Sequence, residues 1–426
     1  MDLIDNPKSK DELLGPTERD QFFLGDAADP SSQPSDSKIP DLISSFPKDA
    51  PPPAPALAAD ASDKAPAEIP RIVEEVIPAA LPAPVSREIR RRERNRQSEG
   101  PLGIDIGTTN IVLAQNQGRD VRVSQQLNAF FAIPYSGLTK AALLQDDVLF
   151  IEKDDKIYIL GYAAEHFANI FGGRVRRPIE SGLLNPKEEE SEFVVKALVE
   201  SLIGTPMRLG EKACFSVPGE SHDGTVSSLV YHQSVLKSHL AGLGYAPVPI
   251  NEGAAVIISE LSGNNYTGIG ISLGGGMCNV CFAYLSVPVL SYSLPKGGDY
   301  IDAMAAGAVG ESTAKAKRIK ENSLSFLRGP KTRIESALQI YYESLFAALA
   351  DSLQKVMGSS DNLPKLAKPI PIVLSGGTVL PLGSAERFRK ALAGVRLPFR
   401  ISDVLIPERP LFATARGALM QALLNR

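Results

Sequence analysis

The sequence predicts an α/β fold built around two glycine turns, and three observations carry that prediction. From Pro101 onward, strand-length apolar runs alternate with helix-period segments, the pattern of parallel strands joined by helices. Two strand–glycine–strand hairpins stand far apart in the chain, at Gly103-Ile104-Asp105-Ile106-Gly107-Thr108-Thr109-Asn110 and at Ile269-Gly270-Ile271-Ser272-Leu273-Gly274-Gly275-Gly276-Met277. The first hundred residues differ in kind. They hold 15 of the 33 prolines and too little apolar surface to offset ordering entropy, so a disordered tail is expected there.

Each element follows from local pattern. Ile104 and Ile106 alternate with small or polar positions, Gly107 permits a turn, and the β-branched run after it suits a returning strand. Val148-Leu149-Phe150-Ile151 and Lys156-Ile157-Tyr158-Ile159-Leu160 flank Asp154-Asp155 as a hairpin. Residues 188–203 carry Phe193, Ala197, Leu198 and Leu202 at helical spacing behind an acidic first turn. Ala213 to Val217 reads as a buried strand stopped by Pro218-Gly219, residues 226–243 as a helix, and Val248-Pro249-Ile250 as a strand. A third glycine turn, Ile372-Val373-Leu374-Ser375-Gly376-Gly377-Thr378, leaves another apolar strand for a helix-like segment.

The tail has internal structure of its own. Residues 1–86 hold 16 acids against 7 bases, whereas residues 87–96 hold six arginines and two glutamates. That basic run reads first as a solvated linker helix, with contact to an anionic membrane or to nucleic acid as the alternative. Leu42-Ile43-Ser44-Ser45-Phe46 and Ile72-Val73-Glu74-Glu75-Val76-Ile77 fit docking motifs for a protein partner and equally fit ordinary tail residues.

Length and charge set the bounds. A chain of 426 residues suffices for two core-bearing domains or one bilobed unit with a tail. A net charge of −4 gives no global sign of a nucleic-acid partner. Cys214, Cys278 and Cys281 all sit in apolar strand-like contexts, and residues three apart in a strand face opposite sides, so Cys278-Asn279-Val280-Cys281 reads as core and not as a metal or redox pair. No basic start leads into an apolar run at the N-terminus, and no stretch approaches the ~20 apolar residues of a spanning helix. A soluble protein of a reducing cytoplasm is expected.

The turns suggest chemistry. A short polar loop between core strands gathers backbone N–H groups and hydroxyls at one spot, an arrangement that binds anions. Asp105 just before such a loop makes sense with a divalent cation between carboxylate and anion; an ordinary hairpin with a surface Asp is the plain alternative. Glu252, where a strand gives way to a helix, lies where open α/β sheets gather ligands and could orient a water for in-line attack on a phosphoryl group; dipole complementation is the plain alternative.

These motifs resemble those of the actin and DnaK-type chaperone superfamily. Asp105-Ile106-Gly107-Thr108-Thr109-Asn110 resembles its first phosphate motif, Leu273-Gly274-Gly275-Gly276 its second, and Leu374-Ser375-Gly376-Gly377-Thr378 its adenosine motif. Ile250 to Ala255 and Ala413-Thr414-Ala415-Arg416-Gly417-Ala418 resemble the two connecting motifs, and Gly297-Gly298-Asp299-Tyr300-Ile301-Asp302 the Gly-Gly-Asp segment. Arg177-Pro178-Ile179-Glu180-Ser181-Gly182 is similar to bacterial actins of the MreB and MamK type. The resemblance covers residues 102–426.

It implies a two-lobed actin-like ATPase fold of duplicated ribonuclease H-like domains, with lobe I over about residues 101–250 plus the C-terminal helix and lobe II over about 251–408. ATP and Mg²⁺ would lie in the cleft. Gly107, Thr108, Thr109, Asn110, Gly274, Gly275 and Gly276 would hold phosphates, and Asp105 would face the hydrated metal. Glu252 would polarise the attacking water. Gly376, Gly377 and Thr378 would line the nucleoside, with Lys317 and Arg318 on the purine helix. Self-assembly into filaments is the implied partnership.

The departures from the family pattern are specific. Ser272 stands where the family usually has Asp, and Met277 and Cys278 replace hydroxylated residues. Little chain separates Arg318 from the helix near Thr332, where bacterial actins insert an outer subdomain. A filament-forming cytoskeletal ATPase is therefore the first expectation, and a nucleotide-binding scaffold with weak hydrolysis, acting through its tail, the second. A chaperone would need a substrate domain after the second connecting motif, and a sugar kinase a sugar-site acid; neither is identified.

Overall fold

The computed structural model describes residues 72–74, 100–117, 120–221, 229–360 and 363–424. The chain divides into a unit of residues 1–66, outside the described residues, and a unit of residues 67–426 that holds all the described ones.

The first half begins with β1 (Ile72–Glu74), β2 (Leu102–Ile106), β3 (Asn110–Gln117) and β4 (Asp120–Leu127). A small sheet of β5 (Phe130–Pro134), β6 (Phe150–Lys153) and β7 (Lys156–Leu160) follows, with α1 (Gly137–Gln145) and α2 (Tyr162–Ile170). After the short pair β8 (Ile179–Glu180) and β9 (Leu183–Leu184) come α3 (Ser191–Leu202), β10 (Lys212–Val217), α4 (Leu229–Gly242) and β11 (Ala246–Asn251). The main sheet runs in the order β1-β4-β3-β2-β10-β11. β2, β3 and β4 pair antiparallel, and β10 and β11 extend the sheet in parallel.

The second half repeats this plan. It contains α5 (Glu252–Glu260), β12 (Gly268–Leu273), β13 (Cys278–Tyr284), β14 (Val287–Leu294), α6 (Gly298–Val309), α7 (Thr313–Asn322), α8 (Arg333–Gly358), β15 (Ile370–Ser375), α9 (Ser384–Leu392), β16 (Ile401–Leu405) and α10 (Ala413–Leu424). Its sheet runs β14-β13-β12-β15-β16, again an antiparallel meander extended by two parallel strands. Apart from the edge strand β1, the two sheets are topological copies.

Sequence explains the elements. Every residue of β12 and of β15 is buried, as central strands covered on both faces require. The long α8 starts at a reciprocal cap: Thr332 Oγ1 accepts from the Glu335 amide at 3.2 Å, and the Glu335 carboxylate accepts from the Lys331 amide at 2.9 Å. Asn251 caps α5 by accepting from the Ala254 amide at 3.2 Å.

Between the two sheets lies a helix pair. α5 packs on β12 and β13, α10 packs on β2 and β10, and the helices contact each other. Ala254, Ala255, Cys214, Cys281 and Ala418 make this layer, with separate cores on the far side of each sheet. Small residues let the helices approach closely. A Cβ on Gly417 would lie 1.8 Å from the Ala255 carbonyl oxygen, so the position admits no side chain.

Several expectations are refined. α3 starts at Ser191, not at 188, because Glu188 and Glu190 are drawn to Arg176; its Nε donates to Glu188 at 2.7 Å and its Nη2 to Glu190 at 3.0 Å. The helix expected over residues 226–243 is described from Leu229, and the segment after Gly376 is a single 3₁₀ turn before α9. Cys278 and Cys281 point to opposite faces of the lobe II sheet, one into each core, and burial pushes both thiols up to about 12. Within the tail expected to be disordered, residues 72–74 pair in parallel with β4 through Ile72↔Val121, Val73↔Arg122 and Glu74↔Val123. Ile72 and Val73 favour the extended backbone that an edge position accepts. The rest of residues 1–99, including residues 42–46 and the basic run at 87–96, lies outside the described residues. Among the described residues, no helix is long and apolar enough to cross a membrane.

Candidate active site

The two glycine turns face each other across a cavity of about 550 Å³. Asp105, Gly107, Thr108, Thr109 and Asn110 enter it from lobe I, and Ser272, Gly274 and Gly275 from lobe II. The turns nearly touch. A Cβ on Gly275 would stand 2.4 Å from Thr109 Oγ1, and one on Gly276 would stand 2.5 Å from Thr108 Oγ1. Gly276 therefore packs against Thr108 and Gly182 and does not line the cavity.

Each turn is fixed by its own scaffold. In lobe I, Gly107 N–H donates to the Asn110 carbonyl at 3.0 Å, closing the turn. Asn128, at the end of β4, donates from Nδ2 to the Gly107 carbonyl at 2.8 Å and from its backbone to the Thr109 carbonyl at 2.8 Å. In lobe II, Gly274 N–H donates to the Met277 carbonyl at 3.0 Å. The first amides of α6 donate to this turn, Gly298 to Gly274 at 3.0 Å and Asp299 to Gly275 at 2.8 Å. Asp299 also accepts from Arg177 Nη1 at 2.7 Å, an ion pair that joins the lobes.

The nucleoside-side expectations resolve by position. Gly376, Gly377, Thr378 and Lys317 line the cavity, whereas Arg318 is exposed on α7 and does not. Helical geometry explains this: Lys317, Lys320 and Glu321 share the face that meets the cleft, and Arg318 lies a quarter-turn away. Lys320 is the residue that sequence reading missed. Its Nζ donates to Asp302 at 2.6 Å and to the Gly298 carbonyl at 2.9 Å, pinning α7 against the start of α6. The i+3 spacing of Lys317 and Lys320, matched by that of Asp299 and Asp302, was the available signal. Tyr162, Glu165, His166 and Asn169 of α2 form the opposite wall, with Glu165 at 3.6 Å from Lys317.

At the base of the cavity are two carboxylates, the half-buried Asp105 and the buried Glu252. Asp105 accepts from Ser216 Oγ at 2.7 Å, and Ser216 Oγ in turn accepts from the Ile106 amide at 3.1 Å. Glu252 opens α5 and is nearly fully buried. Burial raises Asp105 to about 6, while burial and then the Asp105 charge raise Glu252 to about 8. The groups that favour their charged forms, Ser216, Ser272 and Asn279, are all neutral. Two acids with neutral partners, at the base of a cavity lined by two glycine turns, are the donor set that suits a hydrated Mg²⁺ beside phosphates.

Comparison with known proteins follows this geometry. The family model described as Volactin matches residues 101–422. Among solved structures, the MamK double helical filament aligns with a TM-score of 0.58 at 19% identity, covering 76% of this chain and 98% of that one. MreB5 of Spiroplasma citri bound to ADP aligns with a TM-score of 0.55 at 16% identity, over 78% and 100% of the two chains. Its AMPPNP-bound form aligns at 0.53 and 15%, over 76% and 95%. No curated protein matches the chain. The fold is thus that of the two-lobed actin-like proteins. The chain belongs to the Volactin family.

Proposed function

We propose that this protein is an actin-like nucleotide-binding protein that holds ATP with Mg²⁺ between its lobes, hydrolyses it, and assembles into filaments in the cytoplasm. One observation carries the reading: turns from two topologically equivalent sheets converge on one cavity with a pair of acids at its base. Solved relatives of the same fold include a filament and proteins bound to ADP and AMPPNP, which supports both halves of the proposal.

In this reading Gly107, Thr108, Thr109, Asn110, Gly274 and Gly275 bind phosphates, with Gly276 holding the second turn against Thr108. Gly376, Gly377, Thr378 and Lys317 surround the nucleoside. Asp105 and Glu252 hold the metal's waters, and the metal supplies the positive charge that neutralises the phosphates and the developing negative charge. Glu252 orients the attacking water and takes its proton. α6 aims its N-terminus at the second turn, so the helix dipole favours negative charge there.

Ser272 favours a second reading, a nucleotide-dependent scaffold with slow turnover acting through its tail. Replacing a charged preorganised group by a neutral one can remove roughly 3 kcal/mol of transition-state stabilisation. ATP binding and phosphate release by the full chain, Glu252→Ala and Ser272→Asp separate the two. Release abolished by Glu252→Ala establishes the ATPase, and light scattering with ATP then tests assembly. Binding without release establishes the scaffold.

A further inference from the structure

Asn279 is the polar exception in a buried strand. The two sheets superpose in topology, and their registers identify equivalent positions: Asp105 pairs with Val112 across β2 and β3, and Ser272 pairs with Asn279 across β12 and β13. Where lobe I places a valine, lobe II places a fully buried amide. Such an amide is costly unless its groups are used.

The two ends of the Asn279 side chain meet different surroundings. Its Oδ1 accepts from the Gly219 amide at 3.0 Å. Gly219 belongs to the loop after β10 in lobe I, so this bond crosses between lobes. The same loop is sewn to lobe II a second time, by the Ser293 amide donating to the Glu220 carbonyl at 2.7 Å. The Nδ2 end is fully buried and closes no hydrogen bond, on the strand against which the start of α5 is packed: a Cβ on Gly253, next to Glu252, would stand 2.6 Å from the Cys281 amide nitrogen. Asn279 thus bonds the lobe I loop and keeps an unpartnered amide donor on the strand that backs Glu252.

We propose that Asn279 is a positioning residue that ties the Gly219 loop of lobe I to the seat of Glu252, so that Glu252 is held for water attack only while the lobes are closed. Opening the lobes withdraws the Gly219 amide, frees the Asn279 side chain to rotate, and takes the amide donor away from Glu252. Ser272, across the strand, is then its companion donor: both residues present neutral donors to one carboxylate, where an acid would present repulsion. This proposal rests on the ATPase reading for its kinetic consequence but not for the interlobe tie.

Two substitutions divide the roles. Asn279→Leu keeps the volume and removes both interactions. Asn279→Asp keeps an acceptor for the Gly219 amide and replaces the donor facing Glu252 with a second oxygen. In the full chain, Asn279→Leu is expected to speed deuterium uptake in residues 217–221 and to raise the rate of ATP dissociation about tenfold. Asn279→Asp is expected to leave uptake in residues 217–221 unchanged. Both lower phosphate release by roughly ten- to a hundredfold at saturating ATP, the range seen when a supporting contact is lost. Unchanged uptake in Asn279→Leu overturns the tie, whether or not the wild type turns over ATP. Wild-type release matched by Asn279→Asp overturns the link to Glu252. A wild type that binds ATP without release contradicts the ATPase reading instead and leaves the tie to be decided by uptake alone.

Discussion

The two lobes share a strand plan and differ in the chemistry they place at its turning point. In lobe I, Asp105 stands beside Ser216 of the parallel neighbour strand and accepts its hydroxyl proton. In lobe II the same positions are Ser272 and Ser375, paired in register, and Ser375 donates instead to the Pro410 carbonyl at 2.7 Å. At this strand position lobe I therefore brings a carboxylate to the cleft and lobe II a neutral hydroxyl, while lobe II places its charges elsewhere, at Glu252, Asp299, Lys317, Lys320 and Glu321. A duplicated scaffold can keep its packing while its two sites diverge, because the turns are held by backbone bonds that ask little of the side chains.

The helix pair that both lobes share should be the least tolerant place. Gly417→Val forces a side chain into the Ala255 carbonyl and is expected to cost at least about 3 kcal/mol or to prevent folding, whereas Gly307→Ala, in open space on α6, should be nearly neutral. Thermal melts of the two variants check this, and equal melting temperatures would break the claim that α5 and α10 meet at backbone distance.

Next in size is the charge asymmetry. Removing one of the two acids at the cavity base relieves repulsion, so Glu252→Gln should abolish phosphate release and yet stabilise the ligand-free protein by about 2 kcal/mol. The sign follows from the raised values: a carboxylate raised from its ordinary range to about 8 destabilises the fold above the unfolded value. The stabilisation by Glu252→Gln should therefore grow from about pH 4.5 to 8 and level off above it. Ser272→Asp makes the lobes chemically alike and places a third acid at the base. It should lower the melting temperature without Mg²⁺ and recover with Mg²⁺ and nucleotide.

An effect of similar size separates the lobes by acid. His232 is fully buried in lobe I, where its Nδ1 accepts from the Leu184 amide at 3.2 Å, and burial lowers it to about 4. The unfolded chain then binds a proton that the fold refuses, so stability falls as pH drops from about 6.5 to 4, by roughly 2 to 3 kcal/mol. His232→Asn, which retains an acceptor, should flatten that part of the pH dependence. The smallest expected change is chemical: Cys214, Cys278 and Cys281, all buried and free, should resist thiol labelling in the folded protein.

Much of this was legible in the sequence because glycine turns between apolar strands leave a local signature. The strands around Gly107, Gly274 and Gly376 lie where periodicity placed them, and Asp105 and Glu252 meet at the cavity base. What could not be read locally depended on partners distant in sequence. Glu188 and Glu190 looked like a helix start and instead hold Arg176. Arg318 and Lys320 differ only in which face of α7 meets the cleft. Asn279 carries no local signal, because its partner Gly219 lies sixty residues earlier. Residues 72–74 became a strand because β4 offered an edge.

The most direct test of the two-lobe grip is ATP affinity measured by calorimetry with and without Mg²⁺, in the wild type and in Asp105→Asn. Binding strengthened by Mg²⁺ in the wild type, with that strengthening lost in Asp105→Asn, is the predicted result. Affinity that is absent, or that is equal in both proteins and indifferent to Mg²⁺, would contradict the assignment of the cleft.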